Sequence, residues 1–447
     1  MREFPDACID LIATDPPFNS KRDYFVPYKD EKGQKPDILV KAFADTWAWG
    51  EEAELTYQEL VVDVGGQIGD TIEGLRKFLN ETPMMAYLVM MAIRIVEMHR
   101  LLKDTGSLYL HCDPYASHYL KILLDAVFGT TQFRNEIIWS YQTGGVSKRW
   151  FGRKHDVILF YSKLEGYFID LTRVKVPRTP KSLKRAANPK GARIEASDTE
   201  KLAPDVWNIQ ALNAMENERT GYPTQKPIVL YGRIIEASSN KGDVVLDPFA
   251  GCGTTAIAAE QLGRQWIGID LTYLAIGAVK LQIEKLCPQI RDEIIVIGTP
   301  EDANQALELA RSDHAGFEAW CVSHVLQFQS NAKKVADGGI DGRMKFPVGR
   351  VNGKQAFGKA VAQVKGGTPT LGHVRDFRTA MNNDDADIGV FVATTPPTRG
   401  MKQEIMRAGF YEYPFNPELY PSLQHFQIQD YFRGELPKLP PRERVVL

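Results

Sequence analysis

The segment that most limits the fold runs from Val244 to Leu286. An apolar strand, Val244–Asp247, enters the turn Asp247-Pro248-Phe249-Ala250-Gly251-Cys252-Gly253-Thr254-Thr255. Helical spacing follows over Thr254–Leu262, then a strand, Gln265–Asp270, and a helix, Leu274–Leu286. Successive strand–helix units make each helix a crossover, so the strands lie parallel in one sheet. The upstream chain keeps the alternation. Cys8–Thr14 reads as a buried strand ending in Asp15-Pro16-Pro17-Phe18, and Met84–Lys103 as a helix broken by Asp104-Thr105-Gly106. Ser107–His111 reads as a strand, Tyr119–Phe128 as a helix closed by Gly129, Ile137–Tyr141 and Val157–Tyr161 as strands, and Ile228–Ser238 as a helix. The expected fold class is α/β with a Rossmann-like, mostly parallel sheet.

At 447 residues, 44% hydrophobic and 25% charged, the chain has the make-up of an ordinary globular protein of roughly two to four domains. A boundary is expected near residues 300–316, beyond which the pattern restarts. A helix from Phe317 to Phe328 leads to a Gly- and Asp-rich turn (Asp337–Gly342), a strand around Ala360–Val364, a helix around Val374–Met381 and a strand Ile388–Ala393. Pro437–Pro441 reads as an extended, poorly ordered end. The five cysteines are scattered with no CxxC spacing, which disfavours a disulfide framework or a cysteine zinc site. The apolar stretch Met84–Ile93 falls short of the roughly 20 residues that cross a bilayer, and the N-terminus lacks the regions of a signal peptide. A cytoplasmic protein with no membrane segment is expected.

The net charge of −2 conceals an uneven distribution. Between Gly145 and Glu195, thirteen Lys or Arg face four Asp or Glu, an excess of nine, with Trp150, Phe151, Tyr161, Tyr167 and Phe168 interleaved. A basic run of this length, carrying aromatics and interrupting the α/β pattern, reads as a nucleic-acid-binding insert. A solvated surface segment is the plainer alternative.

Two motifs carry chemistry. In the strand–turn–helix, glycines let the backbone approach a ligand, and Asp270, 23 positions after Asp247, can take both ribose hydroxyls of an adenosine cofactor. No third glycine completes a GxGxxG frame, which disfavours NAD; S-adenosylmethionine, a nucleoside without phosphates, fits better. The second motif, Asp15-Pro16-Pro17-Phe18, sits at the carboxyl end of a strand, where α/β sheets place ligands. Prolines alone commonly just stop a strand. With an acid before and an aromatic after, the motif offers an acceptor for an exocyclic amine and a platform for an unstacked base. His111, Cys112 and Asp113 alternate across a strand and make a poor chelate, so they read as a strand end packing beside the active site.

These residues resemble the amino-methyltransferases of DNA in which the catalytic motif precedes the cofactor motif. The likeness rests on Asp15–Phe18, Gly106-Ser107-Leu108-Tyr109-Leu110-His111-Cys112-Asp113-Pro114, Asn135-Glu136-Ile137-Ile138-Trp139, Thr224-Gln225-Lys226-Pro227 and Asp247–Thr255, in that order, over roughly residues 4–310. The resemblance implies that Asp15, Pro16, Pro17 and Phe18 are catalytic. Asp247, Phe249, Gly251 and Gly253 would line S-adenosylmethionine, Asp270 would hold its ribose, and Thr224, Gln225 and Lys226 would lie by its methionine part. It implies a catalytic domain over 1–144 and 221–310, with target recognition over 145–220. Asp in the first position is typical of adenine N6 methylation, Ser of cytosine N4. Relatives usually carry another strand and turn before this motif, whereas fourteen residues precede Asp15. Cytosine C5 methylation uses a cysteine preceded by proline, and none of the five is.

Downstream, Asp341 in Gly338-Gly339-Ile340-Asp341-Gly342 is followed by Gln363-Val364-Lys365, where alternation puts Gln363 and Lys365 on one face; a plain turn and strand would explain this as well. With Phe317-Glu318-Ala319-Trp320 and Val390–Thr395, the stretch resembles Mrr-like restriction nucleases over about residues 315–415, in a domain spanning 315–436 before the tail 437–447. That resemblance implies Asp341 and Lys365 as catalytic, Gln363 and Glu318 as helpers, and magnesium on Asp341 if the domain cleaves DNA.

The expectation is an adenine N6-methyltransferase acting on double-stranded DNA and fused to a nuclease-like domain. Cytosine N4 methylation, an endonuclease whose methyltransferase half only recognises DNA, and a non-catalytic DNA-binding regulator are the alternatives. Protein glutamine methylation is disfavoured by Asp15 and by the motif order. Oligomeric state is left open, a homodimer included.

Overall fold

The computed structural model describes residues 1–18, 22–27, 39–141, 148–186, 199–212, 218–219, 224–330, 339–351 and 354–441. They fall into two compact units, one built mainly from residues 1–24, 43–271 and 278–292, the other mainly from 293–447. Gly338, parts of 145–220 and the tail beyond residue 441 lie outside the described residues.

The first unit is organised by a seven-stranded sheet: β1 (Ile9–Thr14), β2 (Leu102–Cys112), β3 (Phe133–Ser140), β4 (His155–Ser162), β5 (Val206–Asn208), β6 (Val244–Asp247) and β7 (Gln265–Gly268), in the order β7-β6-β1-β2-β4-β3-β5. From β7 to β2 every pairing is parallel, while β4 runs antiparallel to both β2 and β3, so the sheet is mixed. Its helices are α1 (Glu51–Gln58), α2 (Gly66–Leu79), α3 (Pro83–Leu101), α4 (Ser117–Phe128), α5 (Ile228–Ser238) and α6 (Thr254–Gln261), followed by α7 (Tyr273–Leu286). Strand alternation feeds two cores. Ile9, Ile12, Leu108 and Leu110 pack with α3 and α4, whereas Leu11, Ala13, Tyr109 and Val245 pack with α5 and α6. The apolar run from Met84 lies in the buried helix α3, which starts at Pro83 with Thr82 accepting from the Met85 N–H. Among the described residues no helix is long and apolar enough to cross a membrane.

Two expectations are corrected here. Asp104-Thr105-Gly106 does not separate helix from strand: α3 ends at Leu101, β2 begins at Leu102, and the tripeptide is taken up where register jumps from Ile9 opposite Leu102 to Leu11 opposite Ser107. Lys103 stabilises the jump through Asp10, its Nζ 2.8 Å from the carboxylate. Nor does the basic stretch interrupt the sheet as a whole, because β4 lies inside it with Tyr161 fully buried. Tyr167 packs on Phe160 and Phe168 under Arg173, which leaves Trp150 and Phe151 (99% accessible) as the exposed aromatics of the run.

The second unit holds β8 (Gln329–Ser330), β9 (Gly342–Val351), β10 (Lys354–Lys365), β11 (Ile388–Ala393) and β12 (Leu423–Gln427), in that order across a five-stranded sheet. Helices α8 (Ala303–Ser312) and α9 (His314–Trp320) cover the face of Ala360, Ala362 and Val364; α10 (Leu371–Asn383) and α11 (Arg399–Met406) cover that of Val361 and Phe391. The helix expected over Phe317–Phe328 stops at Trp320 and passes into a widened turn, Cys321–Val325. The tail at Pro437–Pro441 is not loose: Gln424 bonds both the N–H and the carbonyl of Lys438, and Pro440 is buried.

Candidate active site

Thr14, the last residue of β1, is fully buried, and two prolines without N–H donors stop the strand just beyond it, so Asp15 leaves the sheet at its carboxyl edge. The two carboxylate oxygens of Asp15 meet different partners. Oδ2 accepts from Lys226 Nζ at 2.5 Å, and that ammonium also lies 5.0 Å from the Phe18 ring centroid. Oδ1 is buried, accepts no hydrogen bond among the described residues, and stands 3.4 Å from His111 Nδ1.

His111 comes from β2, next to β1, and is almost completely buried. Its Nε2 lies 3.3 Å from Asp156 Oδ2 on β4, and Tyr141 donates to Asp156 Oδ1 at 3.1 Å. Burial pushes the Asp156 carboxyl up, but the His111 hydrogen bond and charge, the Lys226 charge and the Tyr141 hydroxyl outweigh it and hold the group below the usual carboxylate range. Phe18 and Trp139 meet the His111 ring edge-on at 5.6 and 5.4 Å.

Across β6 the glycine-bearing loop is anchored by Asp247. The Asp247 carboxylate is buried and accepts from Thr14 Oγ1 at 2.8 Å, the Phe249 N–H at 3.1 Å and Thr255 Oγ1 at 2.7 Å. Desolvation outweighs these donors and pushes its pKa up to about 6. The loop turns through left-handed backbone at Gly251 (φ 52°) and Gly253 (φ 84°), and a Cβ on Gly253 would meet Val279 at 3.0 Å. Asp270, just past β7 and partly exposed, accepts from the Gly251 N–H at 3.0 Å. An adenosine-type ligand fits this donor set: a glycine-lined turn beside a partly exposed carboxylate at strand ends.

The structure therefore brings Asp15, Pro16, Phe18 and Lys226 together, and brings Asp247, Phe249, Gly251 and Asp270 into one loop cluster tied to Thr14. The Asp247 side chain turns inward, so it braces the loop. The Lys226 ammonium lies on Asp15, a pairing the sequence motifs did not announce. Thr224 is exposed with φ 61°, and Gln225 donates to the Glu218 carbonyl at 2.7 Å. Sequence reasoning missed Asp156 and Tyr141, and placed His111 only as packing.

In the second unit, Asp341 Oδ2 accepts from the Val364 N–H at 2.7 Å. Gln363, buried, donates to the Gly339 carbonyl at 2.7 Å, while its Oε1 has no hydrogen-bond partner among the described residues. Lys365 ends β10 two residues on, on the same face by alternation. Glu318 does not join this face, because Phe317 and Trp320 pack α9 on the opposite one. Among the described residues no group of three or more His, Cys, Asp or Glu could hold a metal ion.

The carboxylate of Asp15 and a glycine-bearing loop anchored by Asp247 thus stand at the carboxyl edge of one mixed α/β sheet. A family model described as DNA methylase, of the N6/N4 type, matches residues 9–276, and the chain belongs to that family. It is 34% identical to the type II methyltransferase M.HpaI of Haemophilus parainfluenzae over 42% of this chain and 57% of that protein. To the DNA adenine methyltransferase YhdJ of Escherichia coli K12 it is 30% identical over 48% of this chain and 73% of that one. The match thus spans little more than half the length of the first relative. Among solved structures, PvuII DNA methyltransferase (cytosine-N4-specific) aligns over 64% of this chain and 86% of that one at 16% identity, with a TM-score of 0.41.

Proposed function

We propose that the protein transfers a methyl group from S-adenosylmethionine to the N6 amine of an adenine flipped out of double-stranded DNA. The observation that carries this reading is the amino nitrogen on Asp15: Lys226 Nζ sits on Oδ2 at 2.5 Å and beside the Phe18 ring, where a substrate amine would stand. When bound, S-adenosylmethionine supplies a methyl made electrophilic by its sulfonium. Asp15 and the Pro16 carbonyl accept the amine hydrogens and free the nitrogen lone pair for in-line attack, and Phe18 stacks on the base. Lys226 must leave Oδ2 to admit the amine. Gly251, Gly253 and Phe249 would line the cofactor, Asp270 would hold its ribose, and Thr224 and Gln225 would lie by its methionine part. Exposed Trp150 and Phe151, among Lys148, Arg149, Arg153 and Lys154, support contact with DNA.

Adenine is favoured by the Asp in first position and by the name of the YhdJ relative. In cells expressing the protein, base-resolved mapping should find N6-methyladenine at one recurrent sequence, lost in Asp15→Ala while cofactor binding persists. N4-methylcytosine instead would overturn the base assignment; methylation surviving Asp15→Ala would overturn the site.

A second reading, an additional magnesium-dependent DNA nuclease in the second unit, is favoured by the buried Gln363 Oε1, which has no hydrogen-bond partner among the described residues and belongs to the residue before Val364, whose N–H binds Asp341. Magnesium takes one or two carboxylates, with water and phosphate oxygens completing its shell, so Asp341 and Gln363 would hold it and Lys365 would face the phosphate. Nicking of supercoiled plasmid that needs magnesium should vanish in Asp341→Ala and persist in Asp15→Ala. Nicking unchanged by Asp341→Ala would rule this reading out.

A further inference from the structure

Two adjacent aromatics of the first unit stand away from its core. Phe151 is 99% accessible and Trp150 63%, whereas Tyr161, Tyr167 and Phe168, the other aromatics of the basic run, pack within the unit. Rings of this size are exposed to water at a cost, and a neighbouring pair of them marks a contact surface. Their setting points to the partner. Lys148 and Arg149 precede the pair and Arg153 and Lys154 follow it, four cations in seven residues with no acid among them. Like charges so close repel one another, and a polyanion relieves them by seating phosphates on both sides of the rings. Position narrows the role further. The Tyr141 N–H bonds the Lys154 carbonyl at 3.0 Å, just past the Ser140–His155 and Trp139–Asp156 rungs of the β3–β4 pair. Asp156 lies 3.3 Å from His111, and His111 lies 3.4 Å from Asp15. Phe151 is five residues from Asp156. That is a chain length of at most about 17 Å, or about five base steps of roughly 3.4 Å each.

Building on the reading of the site as one that receives a base drawn out of duplex DNA, we infer that Phe151, with Trp150 beside it, is the wedge that enters the base stack where the target base has left it. Extrusion breaks a base pair and leaves two stacking faces bare; an apolar ring pressed into the gap covers them and keeps the base from falling back. The flanking cations hold the backbone on both sides, so the rings bear on the stack while the charges bear on phosphates. Phe18 and Phe151 divide the lost stacking between them: Phe18 takes the face of the extruded base, Phe151 the faces it left. A ring with this task has to be bare in the free protein, as Phe151 is. Phe151 is a positioning residue. It sets how readily the target base is extruded, not how fast the methyl passes once the base is in place.

The test uses the full chain and two short synthetic duplexes carrying the sequence that methylation mapping returns. One has the target base paired; the other sets it opposite an abasic position, where no pair has to be broken. In Phe151→Ala, KM for the paired duplex should rise about tenfold or more with kcat changed less than about twofold, and KM for the unpaired duplex should stay within about threefold of wild type. Phe151→Tyr keeps a stacking ring and should restore the paired substrate. The slope of duplex affinity against salt concentration, which counts phosphate contacts, should be the same in wild type and Phe151→Ala. An equal loss on both duplexes, no loss on either, or a shallower salt slope in Phe151→Ala would overturn the wedge alone. The comparison runs alike for an adenine or a cytosine target, so the base assignment can fail without the wedge. A wild type for which mapping returns no methylated base would overturn the underlying reading and the wedge with it.

Discussion

Asp247 is an acid that the fold prefers uncharged. With its pKa pushed from 3.8 to about 6 by burial, the folded chain keeps a proton over a range in which the unfolded chain has released it. Stability from this group is therefore greatest near pH 4 and falls as pH rises through about 6, by about 3 kcal/mol in all. Asp247→Asn removes the titration. Its amide oxygen can still accept from Thr14 and its NH2 can donate to Thr255, whose hydroxyl already lies 3.4 Å from the Ala13 carbonyl. Denaturant titrations at pH 4 and pH 7 should show the wild type losing about 2 kcal/mol more than the variant across that interval. An equal loss in both would refute the assignment.

Register, at the scale of elements, is where β2 departs from a regular strand. Gly106 sits inside the register jump, and a Cβ there would meet Leu102 Cδ2 and the Lys103 carbonyl at 2.9 Å and the Asp10 carbonyl at 3.0 Å. Two of those three atoms are backbone and cannot swing aside. Gly106→Ala should cost about 1–3 kcal/mol, seen as a lowered thermal midpoint, whereas Gly129→Ala meets no atom within 4 Å and pays only for its φ of 89°. The same element shows how far sequence reaches. Strand β6, helix α5 and strand β11 were legible to the residue because Val, Leu and Ile runs there are bounded by turn residues. Helix α1 was not, since three of the residues in Glu51–Gln58 are Glu, its Leu55 is exposed and it buries only Tyr57. Strand β10 reaches back to Lys354 because Gly358 lets the Phe346 ring close over it, a packing reason that local pattern cannot carry. In the site, motif order pointed to Asp15 and Asp270. The ring of His111 between two carboxylates depends on strand neighbours 45 and 96 positions apart, and no local spacing encodes it.

On the scale of the whole molecule, charge that nearly cancels in sum is spent locally. Lys226 neutralises Asp15, Arg375, Arg378 and Arg407 surround Glu404, and the run from Lys148 to Lys154 is left exposed around its aromatics. The bond from Thr14 to Asp247 bears on how such a molecule assembles. Its partners are 233 positions apart, one just before Asp15 and the other at the root of the glycine-bearing loop. No fragment ending short of β6 can hold both, so the two halves of the site come into alignment only when the two ends of the sheet's chain have met. Contacts of such sequence separation close late and slowly. During synthesis, therefore, Asp15 and the glycine-bearing loop cannot be joined before β6 has been made and has paired with β1.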